Sequence, residues 1–179
     1  MHRLLVLAVL AVASSAFAAG EKLETPKPNA MLEAAFKDAV GSWTCKGTWN
    51  DPATGKSVTA TSKAKFAKEL DGHQYVAEFT MPKSETMPAM KSNAEWHYDP
   101  ISKGLVGTMV SSSGDVARAT SNGLQGSSII WMSEGTMMGQ PMKMRSTHTM
   151  KGPKEMAMVY EVEANGNWTK MGEDTCKKN

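Results

Sequence analysis

The residues best suited to chemistry are methionines, which crowd into the last third of the chain. The densest stretch is Met137-Met138-Gly139-Gln140-Pro141-Met142-Lys143-Met144. In an extended strand, Met142, Met144 and His148 would lie on one face, because side chains alternate between faces. Thioether sulfur and imidazole nitrogen are soft or borderline ligands that suit copper(I). This pattern predicts a copper(I) site with the ligands Met142, Met144, His148, Met156 and Met158.

The hairpin that carries these residues must have a particular register. On the second strand, Met156, Met158 and Tyr160 share a face. Both methionine sets point inward only if the numbers of paired residues sum to an even value. A three-residue loop at 152–154, with Lys151 facing Glu155, has that register, whereas a two-residue loop would put the sets on opposite faces. We therefore expect the three-residue loop.

Other interpretations of the methionine face stay open. Methionine is unbranched and fills irregular core space, so the barrel could have a filled core and a structural or interaction role. Flexible side chains also line cavities that accept varied apolar molecules. Exposed sulfurs such as those of Met137 and Met138 would instead buffer oxidants. A binding module for a small apolar or amphipathic molecule is our leading hypothesis, with the ligand-contacting residues Trp43, Trp96, Met144, His148, Met158 and Tyr160.

Signatures of enzymes are missing from the sequence. It has no His-Glu-x-x-His, no Gly-x-Ser-x-Gly and no glycine-rich phosphate loop. His148 is the only histidine of the mature chain expected to point inward, and such a lone histidine is more often a core residue than a catalyst. We expect no catalytic residue and no cofactor unless copper binds. No basic cluster stands out, which argues against nucleic-acid binding.

Short alternating runs broken by turn residues fill the chain from Gly41 onward. Such runs are typical of antiparallel sheets with one buried face. The predicted fold is all-β: a single antiparallel up-and-down β-barrel of about ten strands. We place the strands near 42–50, 57–70, 73–81, 91–98, 105–112, 115–121, 124–132, 140–151, 155–164 and 167–176. A short helix capped by Asn29 and ended by Gly41 precedes them, either closing one end of the barrel or lying on its surface.

The chain begins like an exported protein. Arg3, an apolar run and Ala16-Phe17-Ala18 have the form of a signal peptide at residues 1–18. We expect a flexible leader at 19–28 and one β-barrel domain at 29–179. The apolar run is too short to span a membrane, and no second one exists. The protein is therefore expected to be periplasmic or secreted, without a membrane span, and monomeric or weakly self-associating.

The two cysteines are expected to form a disulfide, because exported proteins fold in oxidising surroundings. Cys45 lies on the first predicted strand and Cys176 on the last. These strands are neighbours in a closed barrel, so the bridge would pin the closing seam. Free thiols or an intermolecular bridge remain alternatives.

Three short motifs resemble a known group of proteins. They are Gly41-Ser42-Trp43, Leu70-Asp71-Gly72-His73-Gln74-Tyr75 and Trp96-His97-Tyr98-Asp99-Pro100. The first is similar to the Gly-x-Trp opening of lipocalins, within the calycin superfamily. In this order, the three resemble an uncharacterised bacterial group of exported lipocalin-like proteins with a domain of unknown function, over about residues 30–176. The resemblance implies a barrel that can enclose a cavity, and it implies no reaction.

Overall fold

The alternating sequence closes into a barrel in the computed structural model, which describes residues 25–50, 55–83 and 88–179. A helix, α1 (Ala30–Phe36), comes first, and a single 3-10 turn lies at Leu70–Gly72. The strands are β1 (Gly41–Asn50), β2 (Ser57–Glu69), β3 (Gln74–Met81), β4 (Met90–Asp99), β5 (Gly104–Ser111), β6 (Val116–Ser121), β7 (Leu124–Gln125), β8 (Ser128–Met137), β9 (Gln140–Gly152), β10 (Glu155–Ala164) and β11 (Asn167–Lys178). The predicted signal peptide and most of the predicted leader lie outside the described residues, and that division of the chain stays a prediction.

Each long strand pairs with its neighbours in the sequence, and the barrel closes where β1 meets β11. A further pairing joins β6 directly to β8, so ten antiparallel strands form the closed barrel and β7 is an extra strand beside β8. The predicted antiparallel barrel with a short N-terminal helix is confirmed. Up-and-down order follows from short turns, which bring each strand back beside the one before it.

One predicted strand proves to be two. Residues 124–132 divide into β7 and the start of β8, since Gly126 turns the chain with a φ of 66°. Gln125 pairs with Ser128, so residues 126 and 127 form a tight hairpin turn. β8 then continues to Met137. The sequence between 124 and 132 looked continuous because a lone Gly-Ser turn is a weak signal beside Leu, Ile and Trp.

The register of the methionine hairpin is the predicted even one. Met156 pairs with Met150, and Met158 pairs with His148. The predicted loop is wrong, however, because Gly152 pairs with Glu155 and leaves a two-residue turn. A bulge between Glu155 and Met156 restores the register. An extra residue on one strand reverses the faces of all that follow, which is how a two-residue turn still puts both methionine sets inside.

Cys45 and Cys176 lie directly opposite each other on β1 and β11 and form the predicted disulfide. Both are buried in the core. The bridge joins residues separated by 131 positions, and it fastens the pair of strands that closes the barrel.

Helix α1 covers one end of the barrel, which we call the helix end; the opposite end is the far end. The Asn29 side chain accepts a hydrogen bond of 2.8 Å from the Met31 backbone N–H, as predicted for a cap. Leu32 and Phe36 are buried. The helix ends at Phe36, earlier than the predicted Gly41, and turns lead from there into β1. It is therefore a plug and not a surface helix.

At the far end, Asp115 ties two turns together. Its carboxylate accepts hydrogen bonds from the backbone N–H groups of Met138 (3.1 Å) and Gly139 (3.0 Å). These bonds and one from Ser113 lower the pKa of Asp115 to about 2. The contact links the turn before β6 to the turn after β8, next to the β6–β8 pairing. Within residues 25–50, 55–83 and 88–179, no helix is long and apolar enough to cross a membrane.

Candidate binding site inside the barrel

The helix half of the barrel interior is packed with aromatic rings. The ring of Phe36 lies 5.0 Å from that of Trp96 and 5.2 Å from that of Tyr75, centroid to centroid. Trp96 also stacks on Phe66 at 6.0 Å and contacts Trp131 at 6.2 Å. Rings at such separations fill space and stabilise one another. This half is therefore a core.

Two of the predicted ligand-contacting residues belong to that core. Trp43 is 0% exposed, and its indole N–H donates a 2.7 Å hydrogen bond to the Ala39 carbonyl. Trp96 lies against Gly107, where an added Cβ would be 2.4 Å from the indole Cδ1. Glycine at 107 thus makes room for the ring. A ligand could reach Trp43 only after α1 had moved.

The interior towards the far end is lined differently. Several inward positions there carry Ala, Ser or Met side chains that are only half-buried, beside larger ones such as Phe79 and Val162. We call this region the far chamber, and define it by Ala60, Ser62, Met109, Ala117, Ala119, Ser133 and Met144.

A polar cluster projects into the interior beside the far chamber. The Asp174 carboxylate accepts a hydrogen bond of 3.2 Å from the Trp49 indole N–H and one of 3.4 Å from the Tyr160 hydroxyl. The rings of Trp49 and Tyr160 stack 4.5 Å apart. We call these three residues the Asp174 cluster. β11 lies between β1 and β10, so each neighbouring strand contributes one donor.

Two glycines make this cluster possible. Gly47 pairs with Asp174 across β1 and β11, and an added Cβ would lie 1.6 Å from the Asp174 Oδ1 atom. Gly172 pairs with Trp49, and an added Cβ would lie 2.7 Å from its ring. Both approaches are closer than any real Cβ contact. A side chain at either position would displace the carboxylate or the indole.

The electrostatics of the cluster leave the carboxylate uncompensated. Burial raises the pKa of Asp174, and the two neutral donors offset this only in part. Burial and the nearby carboxylate raise the pKa of Tyr160 well above its usual 10, so its hydroxyl stays protonated and donates. In the part of the chain that the structure describes, no lysine or arginine forms an ion pair with Asp174.

His148 joins this cluster from β9. It pairs with Met158 on β10 and with Ile129 on β8, and its ring lies 6.3 Å from that of Tyr160. Burial lowers the pKa of His148 to about 4, so the imidazole is neutral at pH 7. The Tyr160 hydroxyl also lies 3.3 Å from the Met158 sulfur. Three of the predicted residues, His148, Met158 and Tyr160, are thus brought together.

Met144 and Met142 lie elsewhere along β9. Met144 pairs with Ser133 and Val162. It is four residues from His148, which is roughly 13 Å along a strand. The even register therefore puts both methionine pairs on one face, but Met142 and Met144 lie at a different height along the barrel from Met156 and Met158. Across the described segments, no three His, Cys, Asp or Glu side chains are grouped as they would need to be to hold a metal ion.

Sequence reasoning missed Trp49 and Asp174 as site residues. A signal for Asp174 was present, since it alternates with Cys176 and so shares the inward face of the last strand. A carboxylate at an inward position of a barrel is unusual enough to mark a site. Its partners were not visible, because they lie 125 and 14 residues away in the sequence.

The outer face of the barrel carries two shallow grooves. One, of about 310 Å³, is lined mainly by alternating charged side chains and Trp168. The other, of about 260 Å³, lies over β1, β2 and β3 and is lined by Lys63, Lys65 and Glu78 among others. Both are open to solvent and made mainly of outward-facing residues, so they lack the enclosure of a small-molecule site.

A solved protein structure shares the barrel fold of this chain. No protein-family model and no curated protein matches the chain. The solved structure described as "Crystal Structure of Rv2717c from M. tuberculosis" is similar over 86% of this chain and 99% of that one, with a TM-score of 0.65 and 11% sequence identity. At that identity, the likeness is one of barrel fold alone.

Proposed function

We propose that this protein is an exported barrel that binds a small apolar or amphipathic molecule in the far chamber. One observation carries the proposal: His148, Tyr160 and Asp174 point to the inside of the barrel, lie together there and are only half-buried. Polar groups are seldom left beside unfilled interior space unless water or a ligand reaches them. Sites of this kind combine an apolar wall with a few convergent polar groups.

The proposal also covers the compartment in which the protein works and the family to which it belongs. The disulfide is suited to non-reducing surroundings, in agreement with the predicted signal peptide at 1–18 and with a periplasmic or secreted protein. The barrel fold supports the proposed placement among calycin-like proteins, for which Gly41-Ser42-Trp43 is the entry motif. We propose a monomer or a weak homo-oligomer, and a role as a binding module and not as an enzyme.

The test is to fill the chamber. Ala60 points into it from β2, and the neighbouring Thr61 points to solvent. We expect Ala60→Phe to weaken binding of n-decanol, measured by isothermal titration calorimetry, at least tenfold. Thr61→Phe, which adds the same ring outside, should leave binding unchanged. Far-UV circular dichroism would establish that both variants are folded, and Ser62→Phe provides a second blocked chamber.

Two results would contradict the proposal. Either the wild-type protein binds no decanol at all, or folded Ala60→Phe and Ser62→Phe bind it as well as Thr61→Phe does. In both cases the interior serves packing alone.

A second candidate function, copper(I) binding, is favoured by one contact. The neutral His148 lies directly opposite Met158, and Met156 pairs with Met150 one step towards the helix end. Titration with copper(I) against a competing chelator tests this smaller set. Met158→Leu should then weaken binding, and Met144→Leu, roughly 13 Å along the sheet, should not. Equal and weak binding by the wild type and both variants would reject the metal site.

Oxidant buffering depends on different methionines. Met138 is 76% exposed and Met132 is 43% exposed, whereas Met156 and Met158 are buried. Buffering therefore predicts that mild peroxide adds oxygen to Met138 and Met132 first, without loss of fold. Peptide mass spectrometry would reveal the order, and unreacted surface methionines would end this hypothesis.

A further inference from the structure

The Asp174 carboxylate is the one strongly anionic group of the Asp174 cluster, and it is held in place by neutral donors. Trp49 and Tyr160 each donate one hydrogen bond, one to each oxygen. A carboxylate oxygen accepts more than one hydrogen bond. Acceptor capacity therefore remains on Asp174, on the side that is not occupied by Gly47.

No cation of the described chain compensates this charge. Tyr160 faces it from β10 and Trp49 from β1, and His148 on β9 contacts Tyr160 in its neutral form. On β11 itself the nearest inward-facing cation is Lys178, four residues away. Its ammonium group already donates to the Asp38 carbonyl and lies 5.4 Å from the Trp43 ring centroid. Lys178 is thus committed to the helix end.

A buried carboxylate without a cationic partner is unfavourable unless something else supplies the positive charge. The side chains of the far chamber indicate the chemistry of the rest of the ligand. The chamber wall consists of small side chains and Met109 and Met144, which favour an apolar body. The two requirements together describe an amphipathic cation.

We infer that the ligand of the far chamber carries an ammonium head group, which pairs with Asp174 beside the stacked rings of Trp49 and Tyr160 while its alkyl or aryl body lies along the small residues of the chamber. This inference rests on the proposed function, since it names the class of ligand for the same site. Asp174 acts here as a binding residue, and Trp49 and Tyr160 position its carboxylate.

The test compares three probes with the same ten-carbon chain: decylammonium, n-decanol and decyl sulfate. Each is titrated into the full mature chain by calorimetry, below its micelle concentration. We expect the ammonium probe to bind at least tenfold more tightly than decanol, and the sulfate probe to bind most weakly. Asp174→Asn should remove the preference for ammonium, so that the ammonium probe binds the variant no more tightly than decanol does.

A matched control separates the site from net charge. Glu173 is the neighbouring residue on β11, points outward and pairs with Lys170 at the surface. Glu173→Gln removes the same charge from the outer face, so it should retain the tenfold preference. If Asp174→Asn fails to fold, the wild-type protein still decides between the outcomes through its three probes and its pH dependence.

The pH dependence has a definite sign. Lowering the pH from 7 to 4 protonates part of the Asp174 population, and its raised pKa brings that titration closer to neutrality. Protonation of His148 near pH 4 adds a repelling charge beside it. Both changes weaken ammonium binding and leave decanol binding nearly constant, so the preference should shrink as the pH falls.

Failure of the ammonium inference and failure of the proposed function would give different results. Equal binding of the three probes, tighter binding of the sulfate, or a preference that survives in Asp174→Asn would overturn the ammonium inference and leave the proposed binding function standing. Absence of binding by all three probes would overturn the proposed function itself.

Discussion

His148 and Asp174 are titratable side chains in an interior that is otherwise largely apolar, and burial affects them in opposite directions. Burial disfavours the charged form of each, so the pKa of the histidine falls to about 4 and that of the aspartate rises. Near neutral pH the histidine is therefore uncharged. The aspartate retains an anionic form that only neutral donors stabilise. Residues that reduce stability in this way are common at binding sites.

His148 makes stability depend on pH. The unfolded side chain titrates near pH 6.5, and the folded one near pH 4. Because the folded pKa is lower, the stabilisation is fully present above pH 6.5 and is lost as the pH falls towards 4. Between pH 6.5 and pH 4, the free energy of unfolding measured with urea should fall by up to about 3 kcal/mol more for the wild type than for His148→Gln. Parallel pH profiles for the two proteins would contradict the assignment.

Among the elements, α1 determines how much of the barrel is core. It is only seven residues long, too short to be stable alone. Tertiary packing of Leu32 and Phe36 among the rings of Tyr75, Trp96 and Trp131 therefore holds it in place. With the helix as plug, the aromatic half is closed, and a ligand would enter from the far end.

Truncating the side chain that anchors the plug should lower the stability of the barrel. We expect Phe36→Ala to lower the free energy of unfolding by about 3–5 kcal/mol, because the ring contacts three others and its loss leaves a cavity. The next residue, Lys37, is exposed. Lys37→Ala should therefore change the free energy of unfolding by less than about 0.5 kcal/mol. Equilibrium urea unfolding followed by tryptophan fluorescence measures both. Similar values for the two variants would mean that α1 packs on the surface.

The whole molecule is fastened at one seam by the Cys45–Cys176 bridge. The loop that it closes spans 131 residues, nearly all of the described barrel. A cross-link between such distant residues restricts the unfolded chain strongly, and loss of a native disulfide typically costs about 2–5 kcal/mol.

The double variant Cys45→Ala/Cys176→Ala should lose that amount of unfolding free energy. A reducing agent should destabilise the wild type towards the same value and leave the variant unaffected, as read from urea midpoints with and without dithiothreitol. If reduction changes neither protein, the bridge does not stabilise the native chain. Calorimetric melting of both proteins would then show equal midpoints.

The sequence by itself determined the barrel, because alternation and turn chemistry are local properties. The inward position of Trp43, the cap at Asn29 and the shared face of Met156 and Met158 could all be predicted residue by residue. The disulfide followed from one further step, that the first and last strands of a closed barrel are neighbours. Each of these predictions needed only the residues of one or two strands.

Only the tertiary structure decided where the candidate site lies. Whether Met144 meets Met158 depends on distance along a strand and on a bulge that has no sequence signal, and the two prove to be far apart. Whether Trp96 faces a ligand or a core depends on Phe36 entering from the helix. Asp174 is a candidate binding residue because β1 and β10 place Trp49 and Tyr160 on either side of it. Such contacts join residues that are distant in the chain, and no local pattern specifies them.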